Sequence, residues 1–149
     1  AALALRSLHS YRGFDAAVAN SIGDAKEFDS TAPQSLHGPV PEHRLMLVFA
    51  NGPYFGGAFC IAPGASVTDG ALDMIAIRDA STFRRLTLLA RATRGAHMHL
   101  EETEHATVSE ALVQFDEPPQ FEADGEPHRA GSARVRVACI PGALNVIPA

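Results

Sequence analysis

The stretch Asn51 to Asp73, NGPYFGGAFCIAPGASVTDGALD, crowds turn signals between two apolar, strand-like runs, and the rest of the chain hangs on it. Asn51-Gly52-Pro53, Pro63-Gly64 and Asp69-Gly70 read as turns, and Gly56-Gly57 as backbone that must bend or be approached closely. Leu45 to Asn51 and Tyr54 to Ile61 are strand candidates on either side of Gly52-Pro53, so a hairpin is the simplest reading. Leu72 to Arg78 reads as a further strand whose later part is buried on both sides.

With 149 residues, 46% hydrophobic and 19% charged, the chain can bury a core as one domain. Its longest apolar run, Leu45 to Ala50, is too short to span a bilayer, and no secretory signal is present, so a cytoplasmic protein is expected. A net charge of -5 argues against nucleic acid as the main partner. Cys60 and Cys139 lie in strand-like runs without CxxC spacing and read as reduced core residues.

Tyr11 to Ala19 reads as a strand end turning at Gly13 into a short helix with Asp15 near its start, and the opening suggests a preceding segment. Residues 1–44 are assigned to an N-terminal segment and polar linker, and 45–149 to the folded domain. Ser81 to Arg94 is the one convincing helix: Phe83, Leu86, Leu89 and Ala90 form a packing face, and Arg84, Arg85, Arg91 and Arg94 the exposed one. That basic face is read as solvated, with an anionic-lipid contact as its alternative. Ala106 to Phe115, Gln120 to Ala123, Ala133 to Ile140 and Ala143 to Ile147 read as strands, which makes the fold mainly β: a two-sheet β-sandwich with one packing helix.

Asp124-Gly125-Glu126 is the first chemical candidate. On an extended strand the two carboxylates share a face and make a base with a supporting partner; in a hairpin turn, for which Asp-Gly is a leading signal, they need not point together. Asp69 is the second, because a turn can offer its carboxylate and nearby carbonyls to a hard cation such as Mg²⁺; Asp before Gly is also an ordinary turn residue. His97 and His99, with His105 and Glu101 nearby, are read as edge-strand histidines in preference to a metal site. No phosphate-binding loop, dinucleotide fingerprint or nucleophile elbow is present.

GFDAAVA (Gly13 to Ala19), the Asn51 to Asp73 stretch, ADGEP (Ala123 to Pro127) and PGALNVIP (Pro141 to Pro148) together resemble the C-terminal half of the diacylglycerol kinase-like lipid kinases, which include sphingosine and ceramide kinases. The resemblance implies an ATP-dependent lipid kinase acting on a hydroxyl of diacylglycerol or a related lipid at a membrane surface. ATP would be held mainly by an N-terminal ATP-binding domain absent from this chain, which alone is expected to be inactive. It implies Glu126 as proton acceptor with Asp124 as its partner. It also implies a structural Mg²⁺ on the Asp69 carboxylate and the carbonyls of Ser66 and Ala71, the whole loop bracing the catalytic edge. It is compatible with peripheral membrane association and with a homo-oligomer. Two departures stand out: a connection from Gly13 to Leu45 shorter than the family's, which suggests lost residues, and Ala58 where a third glycine is common. The rival is a non-catalytic lipid-binding or assembly module whose carboxylates are turn residues only.

Overall fold

Chain direction and pairing place most of the strands in one sheet. The computed structural model describes residues 11–21 and 41–144. Strand β1 (Phe14–Ser21) is followed by β2 (Glu42–Ala50), β3 (Leu72–Arg78), helix α1 (Thr82–Ala92) and a 3-10 turn at Ala96–His99. Then come β4 (Thr103–Val108), β5 (Glu110–Phe115), β6 (Gln120–Ala123), β7 (Glu126–Arg129) and β8 (Arg134–Ala138). Six strands form one antiparallel sheet in the order β4-β3-β2-β1-β5-β8, and β6-β7 form a separate pair. The fold is mainly β with one α-helix among the described residues, as composition and turn spacing predict.

β4 and β5 are separated by Ser109 alone, yet β4 pairs with β3 and β5 with β1. A chain passing so directly across the β3-β2-β1 group forces that group to curl toward itself. Its inner face encloses Met74, Val108 and Ala111, with Val18, Leu47 and Phe49 packed against them. The outer face of β2 and β3 carries Ile75 and Ile77, covered by Leu88 and Ala92 of α1 and by Ile61 and Ala62 of the loop. Each such fully buried large aliphatic contributes about 1.5–3 kcal/mol relative to exposure. β3 is buried from Asp73 to Ile77, as a strand covered on both faces must be.

Several expectations are corrected. Tyr54–Ile61 is not a strand and makes no hairpin with β2, because positive φ at Gly56 and Gly57 reverses the chain locally, Phe55 and Phe59 exchanging backbone hydrogen bonds of 2.8 and 3.1 Å. β2 already has β1 and β3 as neighbours. Asp15 lies in a strand rather than near a helix start: β1 enters the sheet directly after Gly13, and Ala16 is fully buried. A boundary at residue 44 therefore falls inside β2, and β1 belongs to the same sheet. Ala106–Phe115 is two strands broken at Ser109. The half-buried cysteines are free, and both lie outside the named strands. The apolar opening before Tyr11, the polar stretch at 22–40 and most of the closing strand predicted over Ala143–Ile147 lie outside the described residues.

Helix α1 forms where predicted, between an extended Ser81 and a left-handed Gly95, but it is turned about its axis. Arg85, Leu88 and Ala92 are its buried residues, whereas Phe83 is 84% exposed and Leu89 41%. Arg85 turns inward because its guanidinium has partners there: the Asp79 carboxylate and the carbonyls of Ala80 and Tyr11. A Cβ on Gly95 would sit 3.1 Å from Pro63 Cγ, so this glycine both ends the helix and lets the Asn51–Asp73 loop approach it.

Candidate functional site

The Asp69 turn is held by its own side chain and by a distant proline. Asp69 Oδ1 accepts the Ala71 N–H at 3.0 Å, and the Ser66 and Thr68 hydroxyls lie 3.1 Å apart. Gly70 has φ 74°, and a Cβ there would lie 3.4 Å from Pro141 Cγ, so the turn packs against the Pro141-Gly142 turn. Ser66, Asp69 and Ala71 thus belong to one short turn with an exposed carboxylate. Its donors are all oxygens, the set a hard divalent cation takes together with water, so the turn is chemically suited to Mg²⁺. Among the described residues no cluster of three or more His, Cys, Asp or Glu could hold a metal ion.

The second aspartate of the Asp-Gly-Ala-Leu-Asp run has a different fate. Asp73 is buried on β3, and its Oδ1 pairs with His105 Nε2 of β4 at 2.5 Å. Strand pairing decides this partner, which sequence separation hides. His97 is fully buried on the 3-10 turn and bonded through Nε2 to the Ile61 carbonyl at 3.0 Å. The reading of His97 and His99 as edge-strand residues is therefore wrong. Because a carbonyl only accepts, Nε2 carries the proton, and burial holds the imidazole pKa below its ordinary value.

Asp124 and Glu126 lie at the end of a ribbon. β5 and β8 pair as far as Phe115 and Ala133; β6 and β7 resume the pairing at Pro119 and Ala130. Residues 116–118 thus oppose residues 131–132, a one-residue bulge that re-aims the outer hairpin. All residues of β6 and β7 are exposed, and at about 3.3 Å per residue each strand is roughly 13 Å long. Asp124 (φ 51°) and Gly125 (φ 89°) are the two turn residues, and Glu126 begins β7. The hairpin alternative is the one observed, so the two carboxylates do not stand two apart on one extended strand.

Register gives Glu126 other company. It faces Ala123, and the next pair toward the body on the same face is Phe121 with His128, whose rings stack at 5.4 Å between centroids. With a period of two, Glu126, Ala123, Phe121 and His128 share one face of the hairpin. Sequence reasoning missed Phe121 and His128; the strand-turn-strand pattern around Asp-Gly was the signal that pairs them. Among the described residues no hydrogen bond or ion pair joins the Asp69 turn to this hairpin. The expected bracing is not seen; Pro141 is the turn's neighbour instead.

A family model described as the YegS C-terminal NAD kinase beta sandwich-like domain matches residues 1–148. The fold is similar to that of a diacylglycerol kinase from Bacillus anthracis str. Sterne, with a TM-score of 0.62 at 13% identity over 94% of this chain and 43% of that one. It is also similar to a candidate diacylglycerol kinase of the same organism, with a TM-score of 0.59 at 14% identity over 93% of this chain and 40% of that one. The chain therefore spans about two fifths of those proteins. No curated protein matches it.

Proposed function

Since this chain belongs to the family of YegS C-terminal NAD kinase beta sandwich-like domains, we propose that it is the C-terminal part of a two-domain lipid kinase, the intact protein phosphorylating a hydroxyl of diacylglycerol or a related lipid. The observation that carries the reading is the exposed hairpin, which offers Glu126 on one face with the Phe121–His128 stack. An apolar surface beside a carboxylate suits a lipid bearing a hydroxyl. ATP is held mainly by the N-terminal domain that the relatives' greater length implies.

In this reading Glu126 accepts the hydroxyl proton as the lipid oxygen bonds to the γ-phosphorus and the bond to the β-phosphate bridging oxygen breaks, releasing ADP. Asp124, at the turn, holds the charge next to Glu126 and helps to orient the hydroxyl. Mg²⁺, when bound by the Asp69 carboxylate with the Ser66 and Ala71 carbonyls, supplies charge neutralisation that stiffens the turn. Asp69 is then a supporting residue and takes no part in proton transfer.

The test is phosphoryl transfer from labelled ATP to diacylglycerol by this chain joined to its ATP-binding domain. Glu126→Gln should lower kcat by at least a hundredfold with the circular dichroism spectrum unchanged. The two-residue turn also favours a second reading, a non-catalytic lipid-binding or assembly module, and unaltered turnover by Glu126→Gln would support it.

A further inference from the structure

The orientation of α1 leaves an amphipathic face without a partner in the described residues. Leu88, Ala92 and Arg85 fill the inward side, so at 100° per residue Phe83 and Ala90 point directly away, with Leu86 and Arg91 flanking them, and Arg94, just past the end of the helix, is exposed as well. Phe83 is the most exposed phenylalanine of the described residues, at 84%. The helix contains no acidic residue. Arg84 is taken up by Glu101 and Glu102, but Arg91 and Arg94 make no ion pair among the described residues. An uncompensated basic end beside an exposed aromatic contrasts with the net charge of -5 on the chain.

We propose that the outward face of α1 docks on an anionic lipid bilayer, Phe83 entering the headgroup region while Arg91 and Arg94 meet lipid phosphates. Aromatic insertion and basic charge are the two contributions by which a helix lies in an interface. Arg91 and Arg94, without an ion pair among the described residues, are complementary to lipid phosphates, and the exposed Phe83 beside them fits the headgroup region of a bilayer. Each basic side chain near an anionic surface is worth roughly fivefold in partitioning, and screening within about 10 Å makes the attraction salt-sensitive. The proposal rests on the lipid-kinase reading only for what the surface delivers, namely a hydroxylated lipid to the enzyme.

Cosedimentation of the 149-residue chain with vesicles lacking diacylglycerol separates the two ideas. Binding to phosphatidylglycerol/phosphatidylcholine vesicles, weak on phosphatidylcholine alone and reduced by salt, is expected. Arg91→Glu with Arg94→Glu should weaken it at least tenfold, and Phe83→Ser should weaken it severalfold, the folded spectrum being retained in both. No binding by the native chain, or equal binding by the variants, overturns the proposal. So does Phe83-dependent self-association in sedimentation velocity, which would assign the face to a second copy. Vesicle binding with no kinase activity in the two-domain protein would sink the kinase reading and leave the docking surface standing.

Discussion

Arg85 and Asp79 form a two-pronged ion pair under helix α1, Nη2 lying 2.7 and 2.9 Å from the two carboxylate oxygens and Nε 3.0 Å from one of them. The same guanidinium donates to the Tyr11 carbonyl at 2.6 Å, so it ties the start of β1 to the helix. Arg85→Ala leaves the largely buried Asp79 carboxylate with only the Ala80 N–H and His43 Nε2, and should destabilise by about 2–4 kcal/mol, below a fully buried pair because Asp79 keeps these partners and some exposure. Arg85→Lys should recover only part, since an ammonium cannot make both prongs. Urea unfolding of the three proteins checks the order.

His97 should make the protein acid-sensitive. Its folded pKa lies below the ordinary 6.5 through burial, so the unfolded chain binds the proton more readily. The stability it confers is complete above about pH 6.5 and is lost as pH falls toward the folded value. His97→Gln, which can still donate to the Ile61 carbonyl, should flatten the melting-temperature profile between pH 6.5 and 5. An unchanged slope would refute the assignment.

His43 acts with the opposite sign. Its Nδ1 faces Asp15 Oδ1 at 3.0 Å and its Nε2 faces the Arg12 carbonyl at 2.6 Å, two acceptors that only the protonated ring satisfies together. The Asp15 hydrogen bond raises its pKa most, outweighing desolvation. Its contribution is complete below pH 6.5 and fades as pH rises through the raised folded value. His43→Gln should remove that decline in melting scans from pH 6 to 9. The effect is small, because the ring is half exposed.

The β6–β7 turn separates charge from conformation. Asn tolerates the left-handed region, so Asp124→Asn should keep thermal stability within about 0.5 kcal/mol while lowering phosphoryl transfer in the two-domain protein. Gly125→Ala meets nothing within 4 Å, so its cost is torsional, about 1–2 kcal/mol, and should appear as faster amide exchange in the hairpin. Equal kinetics for native and Asp124→Asn protein would leave Asp124 as a turn residue only.

Magnesium at a hundred times its dissociation constant should stabilise the native chain by about 2.7 kcal/mol and leave Asp69→Ala unaffected. Melting each protein with and without the ion controls for the lost Asp69–Ala71 hydrogen bond. The same magnesium response in both proteins would exclude Asp69 as a ligand.

Local chemistry was legible in this sequence, and partnership was not. Gly95, Asp69-Gly70 and Asp124-Gly125 punctuate the chain where their conformational freedom is used, and β3 and α1 fall where their patterns place them. The inward face of α1 was misread because Arg85 is buried by a partner six residues back, which periodicity counts as a reason for exposure. Tyr54–Ile61 has strand composition, but paired glycines reverse it within one turn. The Asp73–His105 and Gly70–Pro141 contacts depend on strand register and loop packing. No local pattern encodes them.

The step through Ser109 also orders events in time. β1 precedes the other strands of its sheet, but it gains its second neighbour only when β5 exists, almost a hundred residues later. Such distant pairing slows closure, because the loop entropy is lost before the contacts form. On the ribosome, β1 must wait with one edge open until Phe115 has emerged. A nascent chain halted before Ser109 should therefore stay protease-sensitive at β1, and one extended beyond Ala138 should become resistant in a single cooperative step.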